Sequence, residues 1–346
     1  MVNYNEGYWL DVANVTELIP NIGNLHNQSV LITGATGMIC SVVVDVLHWM
    51  NKNLDANIRI ILAGRNENRV SSRFPYYGED NHIQFVEYDS TSITETPVKA
   101  NYIIHGASNA DPASIIKEPV ETMLANLVGL NILLESAVEN SSKRLLLISS
   151  SEVYGRKEDH RPYKENDYGY VDILNPRASY PCSKRAAETL CAAYKEEYGL
   201  DFVTIRPGHI YGPSITQKDS RASAQFTRNA KEGKDIVLKS AGSQLRSYCH
   251  TFDCASAILT VLLNGECGEA YNISSKGLVC SIRDIAEAFA NAGGVKVVFE
   301  NPTEIEKKSF NMMDNSSLDG SKLEALGWKP QFDISIGTKK TLLFYE

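Results

Sequence analysis

A tyrosine and a lysine four positions apart, in the run Tyr180-Pro181-Cys182-Ser183-Lys184, are the pair in this chain best suited to moving a proton. On a helix that spacing puts both side chains on one face. A phenol ionises near about 10, and burial alone raises that value. A neighbouring ammonium favours the phenolate and brings Tyr180 toward neutrality, where it takes the proton of a substrate hydroxyl while a nicotinamide takes the hydride. A second hydroxyl completes such a site, and Ser150 is placed to supply it at the end of the apolar run 144–148. Glu152 adds a carboxylate two residues on.

These groups need a frame. The run Ser29-Val30-Leu31-Ile32-Thr33 reads as a strand that ends at Gly34, with Gly37 three residues later and a helical pattern beyond. Strand, tight turn and helix in that order hold a dinucleotide pyrophosphate, because unpaired N–H groups at the helix start face the phosphates. Cys40 stands where the usual pattern has a third glycine. That glycine permits close helix–strand packing, and a small buried thiol serves there too.

Further apolar strands are expected at 58–62, 83–86, 102–105, 144–148 and 202–205, separated by helical patterns that include 120–138 and 180–198. Strands apolar throughout, alternating with helices, predict an α/β fold: a doubly wound parallel sheet of Rossmann type covered on both faces. Residues 29–210 are expected to form this cofactor domain, with 250–265 returning to it. Residues 211–346 read mostly as a smaller C-terminal substrate-binding lobe. Residues 1–28 read as an extension with a short helix over 11–18 and enough apolar side chains to dock on the main domain or on a partner subunit. Ligands of such sheets lie beyond the strands' carboxyl ends, which brings Gly34, Arg65, Asp89, Ser108, Ser150 and His209 to one cleft.

Composition narrows the class. With 346 residues, 43% hydrophobic content and a net charge of −8, the chain reads as a soluble globular protein without the basic cluster that tracks nucleic acid. The seven cysteines are scattered, with no C-x-x-C or Cys/His ligand spacing, so reduced thiols and no metal site are expected. No run approaches the ~18 apolar residues of a membrane span, and no signal peptide opens the chain, so the cytoplasm is the expected location.

Several motifs in order make the resemblance specific: TGATGMI at 33–39, Asp89, HGAS at 105–108, Asn126, SSSEVYG at 149–155, YPCSK at 180–184, RPGHIYGP at 206–213 and RSYCHTFD at 246–253. The chain resembles the extended short-chain dehydrogenases/reductases that act as nucleotide-sugar epimerases, dehydratases and decarboxylases, over roughly 29–340. The resemblance implies Ser150, Tyr180 and Lys184 as catalytic hydroxyl, base and cation, with Glu152 acting at a later step. It implies cofactor contacts at Gly34, Thr36, Gly37, Met38, Ile39, Arg65, Asp89, Ser90, Ala107, Ser108, Asn126 and Pro207 besides Tyr180 and Lys184. It implies substrate contacts at Ser151, Arg206, His209 and Arg246, the last on a diphosphate or sugar. The implied partner is a nucleotide-diphosphate sugar, oxidised first to a 4-keto intermediate, and the implied assembly is a homodimer.

The subtype turns on Ser151-Glu152. A glutamate there argues for chemistry at C5 or C6 of the sugar, and the stretch 165–190 looks most like UDP-glucuronate decarboxylases. A 4,6-dehydratase of GDP-mannose or dTDP-glucose type, a 4-epimerase or 4-keto reductase, and a non-catalytic nucleotide-binding protein are the alternatives. Arg65 stands at the end of the second strand, where NAD enzymes usually carry an acid for the ribose. An arginine there favours NADP, whereas decarboxylases of this kind favour NAD. His209 replaces a common asparagine, and its protonation would add attraction for phosphate.

Overall fold

The computed structural model describes residues 2–92, 99–217, 219–302 and 314–346. In chain order the strands are β1 (Ser29–Thr33), β2 (Arg59–Gly64), β3 (Ile83–Glu87), β4 (Tyr102–His105), β5 (Arg144–Ile148), β6 (Phe202–Pro207), β7 (His209–Tyr211), β8 (Ile236–Leu238), β9 (Leu245–His250), β10 (Ala270–Ile273), β11 (Val279–Ser281) and β12 (Val297–Phe299). Seven of them form one parallel sheet in the order β10-β6-β5-β4-β1-β2-β3. The direction of winding switches between β1 and β4, where sheets of this kind open a ligand crevice.

Strand parity sorts the side chains into two cores. Val30, Ile32, Ile60 and Leu62 face α2 (Met38–Leu54) and α8 (Thr251–Asn264), whereas Leu31, Ile61 and Ala63 face α5 (Pro119–Glu139) and α6 (Ser179–Tyr198). Both faces are covered, which explains strands that are apolar at every position. Helix α8 thus returns to the main sheet, as the sequence predicts. A separate cluster around Tyr211, Phe226, Ile236, Tyr248, Ile285 and Phe289 gathers the elements beyond β6.

The N-terminal extension docks on the main body of its own chain. Its helix α1 runs Glu6–Glu17, longer than the expected 11–18, because Asn5 caps it by accepting from the Tyr8 N–H at 3.0 Å. Tyr8, Val12 and Val15 are buried in the same core as α2 and α8.

Close approach fixes the first turn. Gly34 has φ +67°, and a Cβ there would lie 2.7 Å from the Gly106 carbonyl oxygen at the end of β4. Helix α2 begins directly at Met38, four residues before the apolar pattern suggested, because Gly37 already takes the cap position. Cys40 packs under this helix as expected, and the room comes from Gly106: a Cβ at 106 would stand 2.5 Å from the Cys40 sulfur. The glycine missing from one side of the contact is supplied from the other.

Candidate active site

The site lies where β1, β4 and β5 end and α2 and α6 begin. Helix α6 starts one residue before Tyr180 and carries Lys184 one turn later, both buried. The Lys184 Nζ donates to the Ile148 carbonyl at 2.9 Å, fastening the helix to the strand end that bears Ser150. Ser150 caps the single turn Ser151–Tyr154, its Oγ accepting from the Glu152 N–H at 3.2 Å. The Glu152 carboxylate accepts from Arg177 Nη2 at 2.8 Å.

Burial pushes the Tyr180 phenol up to about 12, and the Glu152 carboxylate adds to the rise; the Ser150 hydroxyl and then the Arg177 and Arg221 guanidiniums pull it back. Lys184 Nζ lies 5.8 Å from the Tyr180 ring centre, and the Arg177 and Arg221 guanidiniums also act on the phenol. Burial lowers Lys184 itself to about 8, with Glu188 opposing. The site accordingly holds a neutral phenol and an easily discharged lysine until ligands change the local field.

The cradle fits a dinucleotide. Gly37 opens α2 without a side-chain cap, so the first N–H groups of the helix face outward beside Thr36, Met38 and Ile39. At the end of β4, Thr33 Oγ1 accepts from the N–H groups of Gly106 and Ala107, both at 3.1 Å, and lies 2.9 Å from His105 Nδ1. Its one proton therefore goes to that nitrogen, leaving the buried Nε2–H without a partner. Burial holds His105 down at about 3, so it is neutral. Ser108 Oγ is also buried without a partner. Unpaired polar atoms beside a cradle too close for any Cβ are what a bound polar ligand would satisfy.

On the ribose side, Arg65 is exposed at the end of β2. Asp89 Oδ1 accepts from the Thr91 N–H and Oγ1, and its carboxyl lies below the usual range, chiefly through the Thr91 backbone and in lesser part through Arg65. Ser90 lies against α5, where Gly129 has no Cβ to obstruct it. Pro207 closes β6 opposite Ile273.

Among known proteins, the NAD dependent epimerase/dehydratase family matches residues 30–274. The chain belongs to this family. It is therefore an enzyme of a nicotinamide-dependent group that includes nucleotide-sugar decarboxylases, dehydratases and epimerases. UDP-glucuronic acid decarboxylase 1 of Xenopus tropicalis is 27% identical over 92% of this chain and 72% of its own length. A trifunctional UDP-glucose 4,6-dehydratase of Arabidopsis thaliana is 29% identical over 92% of this chain, which spans about half of that protein (47%). UDP-glucuronic acid 4-epimerase from Bacillus cereus, solved with UDP-glucuronic acid and NAD, has the same fold: TM-score 0.74 and 22% identity over 91% of this chain and 98% of that one.

Within this epimerase/dehydratase frame one expected contact sits elsewhere. Arg206 is buried away from the cleft, its guanidinium held by both Glu188 oxygens, the Tyr154 hydroxyl at 3.0 Å and the Glu165 carbonyl at 2.7 Å. Its donors are spent within the protein, so it positions elements rather than meeting substrate. Asn126, which the resemblance also makes a brace near the site, is 1% exposed and donates to the Thr122 carbonyl and to Ser183 Oγ, tying α5 to α6, while its Oδ1 is buried without a partner. His209 and Arg246 do come together, on β7 and β9. His209 is exposed at the start of β7, and lost solvation of its ring, then the Arg246 and Arg221 guanidiniums, lower its pKa to about 4. Arg246 is 3% exposed with no carboxylate within salt-bridge distance among the described residues, and burial lowers its pKa. The Asp314 carboxylate opposes that fall only in part, and a buried guanidinium with no direct carboxylate partner suits an anion.

Sequence reasoning missed Arg221. Its Nη2 approaches Met38 Sδ at 3.6 Å, its charge acts on both Tyr180 and His209, and Asp219 holds it in place. No motif spacing linked residue 221 to residues 38 and 180. Arg177 was missed as well, although it directly precedes the catalytic helix.

Proposed function

We propose that this enzyme is a UDP-glucuronate decarboxylase that uses NAD. The observation that carries this reading is the pair of guanidiniums, Arg177 and Arg221, acting on the Tyr180 phenol. A substrate whose reacting end carries a carboxylate suits them. Bound NAD supplies hydride uptake and return at the sugar's C4. The chain's own part is proton traffic: with ligands bound, Tyr180 first gives its own proton to solvent, the Ser150 hydroxyl steadies the phenolate so formed, and the phenolate then takes the C4 hydroxyl proton and returns to the neutral phenol. The 4-keto acid then loses CO2 as its C5–C6 bond breaks, and a proton replaces it at C5. That step needs no base at C5, which agrees with a Glu152 already engaged by Arg177.

Arg246 is the residue proposed for the nucleotide diphosphate, with His209 and Ser151 beside the sugar and the elements beyond β6 forming the substrate lobe. NAD is favoured over NADP because the similar UDP-glucuronic acid 4-epimerase was solved with NAD; Arg65, exposed after β2, stands on the ribose side. Along α5, Val120, Met123 and Leu124 are exposed; a second copy covering them would make the homodimer.

Incubation of the purified protein with NAD and UDP-glucuronate tests the reading. A product lighter by the mass of CO2 is expected. The 4,6-dehydratase reading is kept by one observation, that the Glu152 carboxylate acts directly on Tyr180 and so lies in the reaction zone. Loss of water from UDP-, GDP- or dTDP-linked hexoses, with UDP-glucuronate untouched, would establish it instead.

A further inference from the structure

We propose that Glu188 is a positioning residue for the Tyr180–Lys184 pair: its carboxylate fixes the end of β5 against α6. Oε1 accepts from Ser149 Oγ at 2.5 Å and from Arg206 Nε at 3.0 Å, and Oε2 accepts from Arg206 Nη2 at 2.5 Å. Ser149 lies between Ile148, whose carbonyl receives the Lys184 ammonium, and Ser150. Two consecutive residues at the strand end, Ile148 and Ser149, are thus tied to one helix face by groups one turn apart. Glu188 in turn is oriented by Arg206, itself anchored on Tyr154 and Glu165.

The charge argument is independent of the bonds. The titratable groups that act on Lys184, or that it acts on, are Glu188 and Cys191 on its own helix, Cys40 on α2 and His105 on β4, with the Tyr180 ring one turn away. Burial pushes both thiols up, Cys40 to about 12, and holds His105 neutral. Glu188 is the one carboxylate among them, and a carboxylate near a buried cation is worth about 1–3 pH units.

Glu188→Gln alone leaves Arg206 buried and unpaired, so it is paired with the double variant Glu188→Gln/Arg206→Met, which removes both charges. The pH profile of kcat is measured with whichever nucleotide sugar the wild type converts. In both variants the alkaline limb should move to lower pH by about one unit or more, whereas Ser149→Ala should lower kcat without moving the limb. Thermal unfolding gives a readout without turnover. Because Lys184 titrates lower in the folded chain than in the unfolded one, stability rises with pH above its folded pKa. That rise should start at lower pH in the double variant, and Lys184→Met should abolish the difference. A limb and a rise both at their wild-type positions in the double variant would reduce Glu188 to a packing pair. Failure of UDP-glucuronate to react would overturn the decarboxylase reading while the thermal result still decides Glu188.

Discussion

Asp45 and Arg73 meet on one face of the main sheet, Glu188 and Arg206 on the other, and the two ion pairs are buried in different company. Asp45 is fully buried on α2 and accepts from the phenols of Tyr4, Tyr8 and Tyr76 at 3.0, 2.5 and 2.5 Å, with Arg73 at 3.5 Å. Those partners belong to the N-terminal arm and the segment after β2, far from reacting atoms. Glu188 shares its oxygens with Ser149, next to Ser150, the hydroxyl proposed to act with Tyr180. A buried charge must be fully hydrogen-bonded wherever it lies, so burial and pairing alone do not identify a functional ion pair. What its neighbours carry does.

The largest effect separates chemistry from architecture. Tyr180→Phe removes the atom that accepts the C4 proton and should lower kcat by about 10²–10⁴ at unchanged melting temperature, read by product formation. Asp45→Ala should do the reverse. It strands Arg73 and three phenols, costing about 3–5 kcal/mol of stability, while kcat per folded molecule stays near wild type. Denaturant unfolding together with active-site titration would show it; a loss of kcat matching that of Tyr180→Phe would erase the distinction between the faces.

Next comes Arg221, the cation contributed from beyond β6. Arg221→Met removes a charged hydrogen-bond donor worth about 1.5–3 kcal/mol, so KM for the nucleotide sugar should rise about 10- to 100-fold with a smaller change in kcat. A kcat loss at constant KM would place Arg221 in the chemical step instead.

How much of this was legible follows from the kinds of signal involved. Local order was readable: the β1–Gly34–α2 turn and six of the seven parallel strands rest on short spacings or strand pattern, whereas β10, which joins the sheet beside β6, lies in the stretch read mostly as the substrate lobe. Arg206 was misplaced because it ends a strand in a motif, but parity gave the answer: Val203 and Ile205 face α8, so Phe202 and Arg206 must face α6. Glu188 was visible as one turn beyond Lys184, though nothing in sequence tied it to Ser149. Arg221 depends on an irregular segment crossing the cleft, and the docking of α1 depends on Asp45 finding tyrosines 37 and 41 residues earlier. Neither carries a period.

The smallest predicted effect tests the seam between the two regions. Cys40 belongs to α2, the helix of Asp45, yet its thiol acts electrostatically on Lys184 and packs against Gly106. Gly106→Ala would press a methyl to within 2.5 Å of that sulfur, and overpacking of this kind costs about 1–3 kcal/mol. Cys40→Gly in the same chain should recover most of the lost melting temperature, because it restores the third glycine of the turn and empties the space the methyl needs. Cys40→Gly alone should be mildly destabilising through the cavity it leaves. If the double variant is no more stable than Gly106→Ala, the cost lies in the backbone of the β4 end rather than in the contact, and α2 and the catalytic lysine are joined through the main chain alone.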